Sequence, residues 1–307
     1  MKLSRSLLFV PGHRQSWVAK GIASSADALI LDLEDSVPSS LKDEARHTVA
    51  QSVREVRQSG SDIGLYARLN ALDSGLTGDD LEVIAIEQLD GFVLPKTFSE
   101  VDIAHFDALV THFERRNGVP SGHFEFILAL ETAQAYASCE RLIAASPRNA
   151  TLFAGTARDA DVARSVGFQF TPEGLETLYM RSRALLATRA AGCEFPLFGL
   201  WQDVHDLEGA RRFAVDNRRL GFRGQVVIHP SHVQIANEVF SPSDAEVEFY
   251  EGMIAAFEAA ERDGIAAVDY EGQHIDYAHV KTAQAVVDLH ATLTSRKSND
   301  DTSAVLR

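Results

Sequence analysis

Phe126-Ile127-Leu128-Ala129-Leu130-Glu131 is an apolar run closed by an acid. A second run, Leu152-Phe153-Ala154-Gly155-Thr156-Ala157-Arg158-Asp159-Ala160-Asp161, closes on glycine and acids. Each has the length and composition of a buried strand, and a helical segment separates them. In both, charge stands where the strand should stop. Two neighbouring strands ending in carboxylates at one edge make an oxygen-rich pocket suited to a hard divalent cation. The stretch Phe126–Asp161 therefore predicts a Mg2+ site at the mouth of a barrel. Glu131 is the first candidate ligand. Asp161 and Asp159 compete for the second position, and spacing alone does not choose between them.

Working outward, six more short apolar runs precede and follow this pair. Ser6–Val10, Asp27–Leu33, Ile63–Leu69 and Asp90–Leu94 come before it, and Phe195–Leu200 and Gln225–Ile228 after it. Helical patterns lie between most of them, notably Gln15–Ala23, Leu41–Gln58, Pro172–Ala191 and Asp206–Leu220. The runs are continuous rather than alternating, as parallel strands covered on both faces should be. Eight strands alternating with helices predict an α/β fold, a (β/α)8 TIM barrel. No Gly-x-Gly-x-x-Gly follows the first strand, which disfavours an open dinucleotide-binding sheet. After Phe240-Ser241-Pro242 the pattern changes. A long helix over Asp244–Arg262, a short strand Ala266–Tyr270, a turn at Glu271-Gly272 and a last helix Asp276–Leu293 predict a small lid extension. The expected division is a catalytic barrel over residues 1–240 and an extension over 241–307, ending in a polar, frayed tail from Ser295.

The bulk numbers fit this reading. A chain of 307 residues is usual for such a barrel with an extension, and 45% hydrophobic with 24% charged residues is ordinary globular composition. No apolar run approaches the roughly 20 residues needed to span a bilayer. Leu7–Val10, ended by Pro11-Gly12, is too short for a signal-peptide core. Cys139 and Cys193 make no disulfide framework, so a reducing cytoplasm is expected. The net charge of −15 repels phosphate backbones and speaks against nucleic-acid binding. An anionic substrate would then need local cations, which directs attention to arginines at strand ends.

At those ends each functional reading has an ordinary structural competitor. Glu131 could pair with an arginine, and Asp159 or Asp161 could cap the helix toward Val166. Asp32, Glu34 and Asp35 form a dense acidic group that could pair with Arg68 or hold waters on a metal. Arg68 in an apolar strand is expensive unless paired, and it could also clamp a carboxylate or an enolate oxygen. Lys96 could form a Schiff base, but an orienting or substrate-binding role fits it better. His229 has no second histidine at zinc spacing, so it is read as lining or shaping a loop.

The ordered set of segments resembles the β-subunit of citrate lyase and the acyl-thioester lyases around it, including malyl- and citramalyl-coenzyme A lyases, within the HpcH/HpaI aldolase superfamily. The matching pieces include Arg5-Ser6-Leu7-Leu8-Phe9-Val10-Pro11-Gly12, Ala28-Leu29-Ile30-Leu31-Asp32-Leu33-Glu34-Asp35, Ala67-Arg68-Leu69-Asn70 and Val93-Leu94-Pro95-Lys96. Ala129-Leu130-Glu131-Thr132, Gly221-Phe222-Arg223-Gly224, Ile228-His229-Pro230 and Glu271-Gly272-Gln273-His274-Ile275-Asp276 continue it. The resemblance implies Mg2+ held by two carboxylates, a homo-oligomer (trimer or hexamer), and retro-aldol cleavage of a 3-hydroxyacyl thioester of coenzyme A or acyl carrier protein. It implies Glu131 as metal ligand, Arg68, Glu34 and Asp276 as catalytic groups, and Arg14, Arg68, Lys96 and Asp35 as substrate-binding groups. The family's second ligand commonly lies in Gly-x-x-Asp, whereas Arg158 stands three residues after Gly155 here. Counting back from Gly167 favours Asp161, with Asp159 as the alternative. Two rival readings are a metal-dependent aldolase acting on free 2-oxo acids and a non-catalytic paralogue serving as a binding subunit.

Overall fold

Eight parallel strands close on themselves in the computed structural model, which describes residues 3–305. They are β1 (Ser6–Pro11), β2 (Ala28–Asp32), β3 (Gly64–Arg68), β4 (Gly91–Leu94), β5 (Glu125–Leu130), β6 (Asn149–Gly155), β7 (Leu197–Gly199) and β8 (Gly224–Val227). Each pairs with the next, and β8 returns to β1 with Leu7 opposite Val226. The expected (β/α)8 barrel is therefore the observed fold, with strand ends within a few residues of those read from the apolar runs. Leu7, Ala28, Ile30, Tyr66, Val93, Ile127, Ala129, Phe153, Leu197 and Val226 fill its interior. Register matters at the mouth. Asp32 on β2 stands opposite Arg68 on β3, so the acid and the arginine predicted to compete for partners are cross-strand neighbours.

The chain divides into two compact units, Met1–Glu238 and Val239–Arg307. The second unit contains the helix Asp244–Arg262, opened by a capping box between Ser243 and Glu246. It also holds a hairpin of β9 (Ala267–Tyr270) and β10 (Gln273–Asp276). Its two-residue turn, Glu271-Gly272, has both residues at positive φ, the geometry whose twist matches flanking strands. β10 was not expected. The last helix starts at Tyr277 and runs to Val305, so the tail expected to fray from Ser295 is helical there, and residues 306–307 lie outside the described residues. Met253, Phe257, Ile275 and Ala283 form this unit's own core. Among the described residues no helix is long and apolar enough to cross a membrane.

Candidate active site

The acidic and basic strand ends converge on one cleft of about 440 Å³, lined by Asp32, Asp35, Arg68, Glu131, Asp159 and Asp161 together with Phe9, Trp17 and Gln202. Its centre is Arg68. The guanidinium forks onto Asp32, with Nε donating to Oδ1 at 2.7 Å and Nη2 to Oδ2 at 2.8 Å. The Phe9 ring packs against its face, with the guanidinium carbon 4.9 Å from the centroid. Nη1 is the prong not bonded to Asp32. It has Glu34 Oε2 at 3.1 Å, Asp35 Oδ2 at 3.7 Å and Glu131 Oε1 at 3.7 Å. Burial alone would raise the Asp32 carboxyl. Arg68 and the hydroxyl of Ser36, which donates to it at 2.5 Å, pull it down to about 2 instead. The buried ion pair expected of Arg68 is therefore present on two nitrogens, and the third lies among the carboxylates of Glu34, Asp35 and Glu131.

Lys96 follows β4 and Pro95 with φ at +48°, a conformation most side chains avoid. Its N–H donates to Glu131 Oε2 at 3.2 Å. Its ammonium has Glu34 Oε1 at 3.0 Å, Asp35 Oδ1 at 3.2 Å and Asp161 Oδ2 at 3.6 Å. Burial opposes the charge, but these carboxylates, Glu34 first, hold the lysine protonated well above its usual range. An ammonium so held is no nucleophile, which removes the Schiff-base reading. Glu34 is only 6% exposed and is not among the cleft-lining residues; it stands behind Arg68 and Lys96. Burial pushes it up to about 7, against the attraction of Arg68 and aided by Glu131 and Asp35.

Glu131 follows β5 directly. Its carboxylate accepts the Lys96 N–H and otherwise meets Arg68 only at 3.7 Å. Burial raises its pKa, with Arg68 opposing. Asp161 begins the helix Asp161–Val166, pairs with Arg164 and Lys96, and leaves Ala160 as the capping position. Neither Asp159 nor Asp161 is thus the N-cap. Asp159 takes a positive φ of 55°. The long loop is clasped by Gln202, whose amide oxygen accepts from Arg158 N at 2.6 Å while its NH2 donates to Arg158 O at 3.0 Å. Carboxylates outnumber cations around the cleft, and Glu131 keeps unused lone pairs, so a divalent cation fits this donor set. Among the described residues, no three His, Cys, Asp or Glu side chains converge as a ready-made metal site. The Glu131 and Asp161 pair would need oxygens from substrate and water to complete a coordination sphere.

Arg14 precedes the helix Gln15–Ala23 and lies over the Trp17 ring at 5.9 Å from its centroid. It does not line the cleft itself, although Trp17 does. Asp276 ends β10 in the second unit, where Oδ1 accepts from Ala278 N at 2.9 Å and meets His279 Nδ1 at 2.8 Å. Those bonds, His279 first, lower its pKa. The side chain thus caps the start of the last helix. His229 bonds Ser231 through Nδ1 and belongs to the turn after β8.

Comparisons with known proteins show the family. The chain is 30% identical to citrate lyase subunit beta of Leuconostoc mesenteroides subsp. cremoris, over 94% of this chain and 93% of that one. It is 34% identical to an L-malyl-CoA/beta-methylmalyl-CoA lyase of Cereibacter sphaeroides (strain ATCC 17025 / ATH 2.4.3), over 92% and 93%. A (3S)-malyl-CoA thioesterase of Cereibacter sphaeroides (strain KD131 / KCTC 12085) is 33% identical over 91% and 92%. Among solved structures, CitE from Mycobacterium tuberculosis in complex with magnesium, acetoacetate and coenzyme A superposes with a TM-score of 0.72 at 25% identity, covering 94% of this chain and 99% of that one. A sequence model described as HpcH/HpaI aldolase/citrate lyase matches residues 5–230, and the chain belongs to that family.

Proposed function

We propose that this chain is a Mg2+-dependent carbon–carbon lyase. It would cleave a 3-hydroxyacyl thioester of the malyl-, citramalyl- or citryl-coenzyme A type into a 2-oxo acid and a shorter acyl thioester. The observation that carries the reading is the Arg68 fork: two nitrogens locked on Asp32 and a third presented to a cleft beside Glu131 and Asp161. Bound Mg2+, held by Glu131 and Asp161, would supply Lewis acidity where a hydroxyl oxygen becomes a carbonyl oxygen. Arg68 Nη1 donates to the thioester oxygen as that oxygen gains enolate charge. Asp32 fixes the guanidinium so that no reorganisation is needed at that moment. Glu34, behind the cleft wall, orients Arg68 and Lys96 rather than touching substrate. Lys96 ties Asp161 to the acidic turn after β2. Asp35, on the cleft wall, and Arg14, beside Trp17, bind polar and anionic parts of the substrate. The protein acts in a reducing cytoplasm as a homo-oligomer.

Asp276, contributed by the lid of a neighbouring subunit, is the candidate base that removes the hydroxyl proton. Asp276→Asn keeps the acceptor that caps the last helix but cannot take a proton. It is expected to lower kcat by about 10²-fold while KM changes little. Steady-state kinetics on the cleaved thioester checks this, and an unchanged kcat would reduce Asp276 to a cap.

The functional test offers malyl-, citramalyl- and citryl-coenzyme A in turn, with Mg2+ or with EDTA. Release of a 2-oxo acid and release of free thiol are followed separately. EDTA-sensitive 2-oxo acid without free thiol is the expected result. Free thiol alone would make the protein a thioesterase, and neither product would remove the lyase reading.

A further inference from the structure

Beneath the acidic turn lies a polar chain that the mechanism above does not use. The Lys42 ammonium donates to Leu33 O at 2.5 Å, Glu34 O at 2.6 Å and Asn70 Oδ1 at 2.7 Å. Asn70 is 3% exposed, and its NH2 donates to Asp80 Oδ2 at 2.8 Å, as does its backbone N–H. Asp80, fully buried, accepts from Arg46 Nε at 2.8 Å on its other oxygen. Every protein-facing donor of the ammonium is therefore spent on one job. Two of its acceptors are main-chain carbonyls of the turn after β2, and the third is a side chain two residues beyond Arg68. A helix-borne lysine thereby joins the ends of the two strands that carry Asp32, Glu34 and Arg68.

We infer that Lys42, set by Asn70 and Asp80, is a positioning residue for the proposed lyase reaction, pinning the Leu33–Asp35 turn so that Glu34 and Asp35 face Arg68 and Lys96. This rests on the proposed function for its catalytic consequence, but not for its structural one. Among the described residues no other cation bonds those two carbonyls: Arg68 is committed to Asp32, and Lys96 to carboxylates. Without the ammonium, Leu33 O loses its donor and Glu34 O keeps only Val37 N at 3.1 Å, while the turn retains the Leu33 N bond to Arg68 O and the bonds that Asp32 accepts from Glu34 N, Ser36 N and the Ser36 hydroxyl. A turn so loosened lets the Glu34 carboxylate drift, and with it Arg68 Nη1, which pairs with that carboxylate at 3.1 Å. Tolerance at such sites is small, because a misplaced donor stabilises the transition state poorly.

Lys42→Met keeps the stem and removes the ammonium. Two readouts decide the matter. Hydrogen exchange of the peptide spanning residues 33–37 is expected to accelerate by about tenfold or more relative to wild type. On the cleaved thioester, kcat is expected to fall by about 10–100-fold, the scale set by outer partners of metal sites, with KM within about threefold. Lys42→Cys alkylated with 2-bromoethylamine restores an ammonium at nearly the same length and should recover both readouts. Wild type treated identically controls for Cys139 and Cys193. Should Lys42→Met not fold, Lys42→Cys before and after alkylation gives the same comparison. Unchanged exchange in the turn overturns the inference, as does a kcat within about twofold of wild type. If wild type itself releases no 2-oxo acid, the lyase reading falls, and exchange in the turn alone decides whether Lys42 pins it.

Discussion

Glu131→Ala is expected to yield a folded protein that no longer responds to Mg2+ and no longer releases a 2-oxo acid. The folded half of this expectation comes from what Glu131 touches. Its carboxylate accepts one bond, from Lys96 N, and meets Arg68 at 3.7 Å. Removing it leaves one backbone N–H beside an open cleft, where water can replace it. Burial already raises the pKa of Glu131, so its charge is costly to the fold. Its loss should therefore cost no more than the roughly 1–3 kcal/mol of one backbone donor left without its partner. The Mg2+ half has a readout independent of turnover. A ligand present at a hundred times its Kd stabilises the native state by about 2.7 kcal/mol. Wild type should show such a rise in Tm on adding Mg2+, and Glu131→Ala should not. Activity should fall by more than the roughly 10–100-fold that losing an outer partner of a metal site costs. A variant that keeps both the Mg2+-dependent Tm rise and turnover would falsify the central assignment. Asp161→Asn and Asp159→Asn, run beside it, test which acid is the second ligand; only Asp161→Asn should abolish the Tm rise.

The barrel was legible in the sequence because a parallel strand buried on both faces has a simple signature. Runs such as Ala28-Leu29-Ile30-Leu31 and Phe126-Ile127-Leu128-Ala129-Leu130 can be nothing but interior. Strand ends were legible for the same reason, since the first charge after each run marks the mouth. Arg68 and Asp32 were readable as partners, and β2–β3 register makes them so. What the sequence could not show is depth. Glu34 and Asp35 are adjacent, yet one is buried behind Arg68 while the other lines the cleft, because β2 ends at Asp32 and the turn rotates successive side chains. Lys96 carried no signal for its positive φ or for the bond its N–H makes to the Glu131 carboxylate on the next strand. Lys42 reads as one more surface lysine in an amphipathic helix. Only the tertiary fold brings two carbonyls and Asn70 around its ammonium. The Gln202 clasp on Arg158 is equally non-local. β10 escaped notice because its four residues, Gln273–Asp276, are mostly polar and exposed, so no apolar run announces them. A lysine near the start of a helix that follows an acidic strand end is the one sequence cue that would have raised Lys42.

Arg68 should show the largest combined loss. Arg68→Met removes the cation that faces Asp32 and Glu34, both buried. Breaking a buried pair from one side leaves an uncompensated charge and costs about 3–5 kcal/mol. The acid dependence of that cost has a definite sign. Asp32 is depressed in the fold to about 2, below the roughly 3.9 of an unfolded chain. Its contribution to stability is therefore complete above about pH 4 and is lost as pH falls toward 2. Wild type and Arg68→Met should differ most near neutrality and converge in acid. Catalysis separates from stability in Arg68→Lys. Lysine keeps a positive charge near Asp32 but has no planar fork, so it cannot hold Asp32 on two nitrogens and present a third to the cleft. Arg68→Lys should remain folded with kcat lower by about 10²–10³-fold, the cost of losing one transition-state donor. Asp32→Asn is the companion variant, since it loosens the fork while leaving the guanidinium beside Glu34. Its kcat should fall less, by about 10–100-fold. Equal losses in Arg68→Lys and Asp32→Asn would mean that only the ion pair matters. A folded Arg68→Lys with wild-type kcat would leave Arg68 a structural counter-ion and move enolate stabilisation to another donor in the cleft.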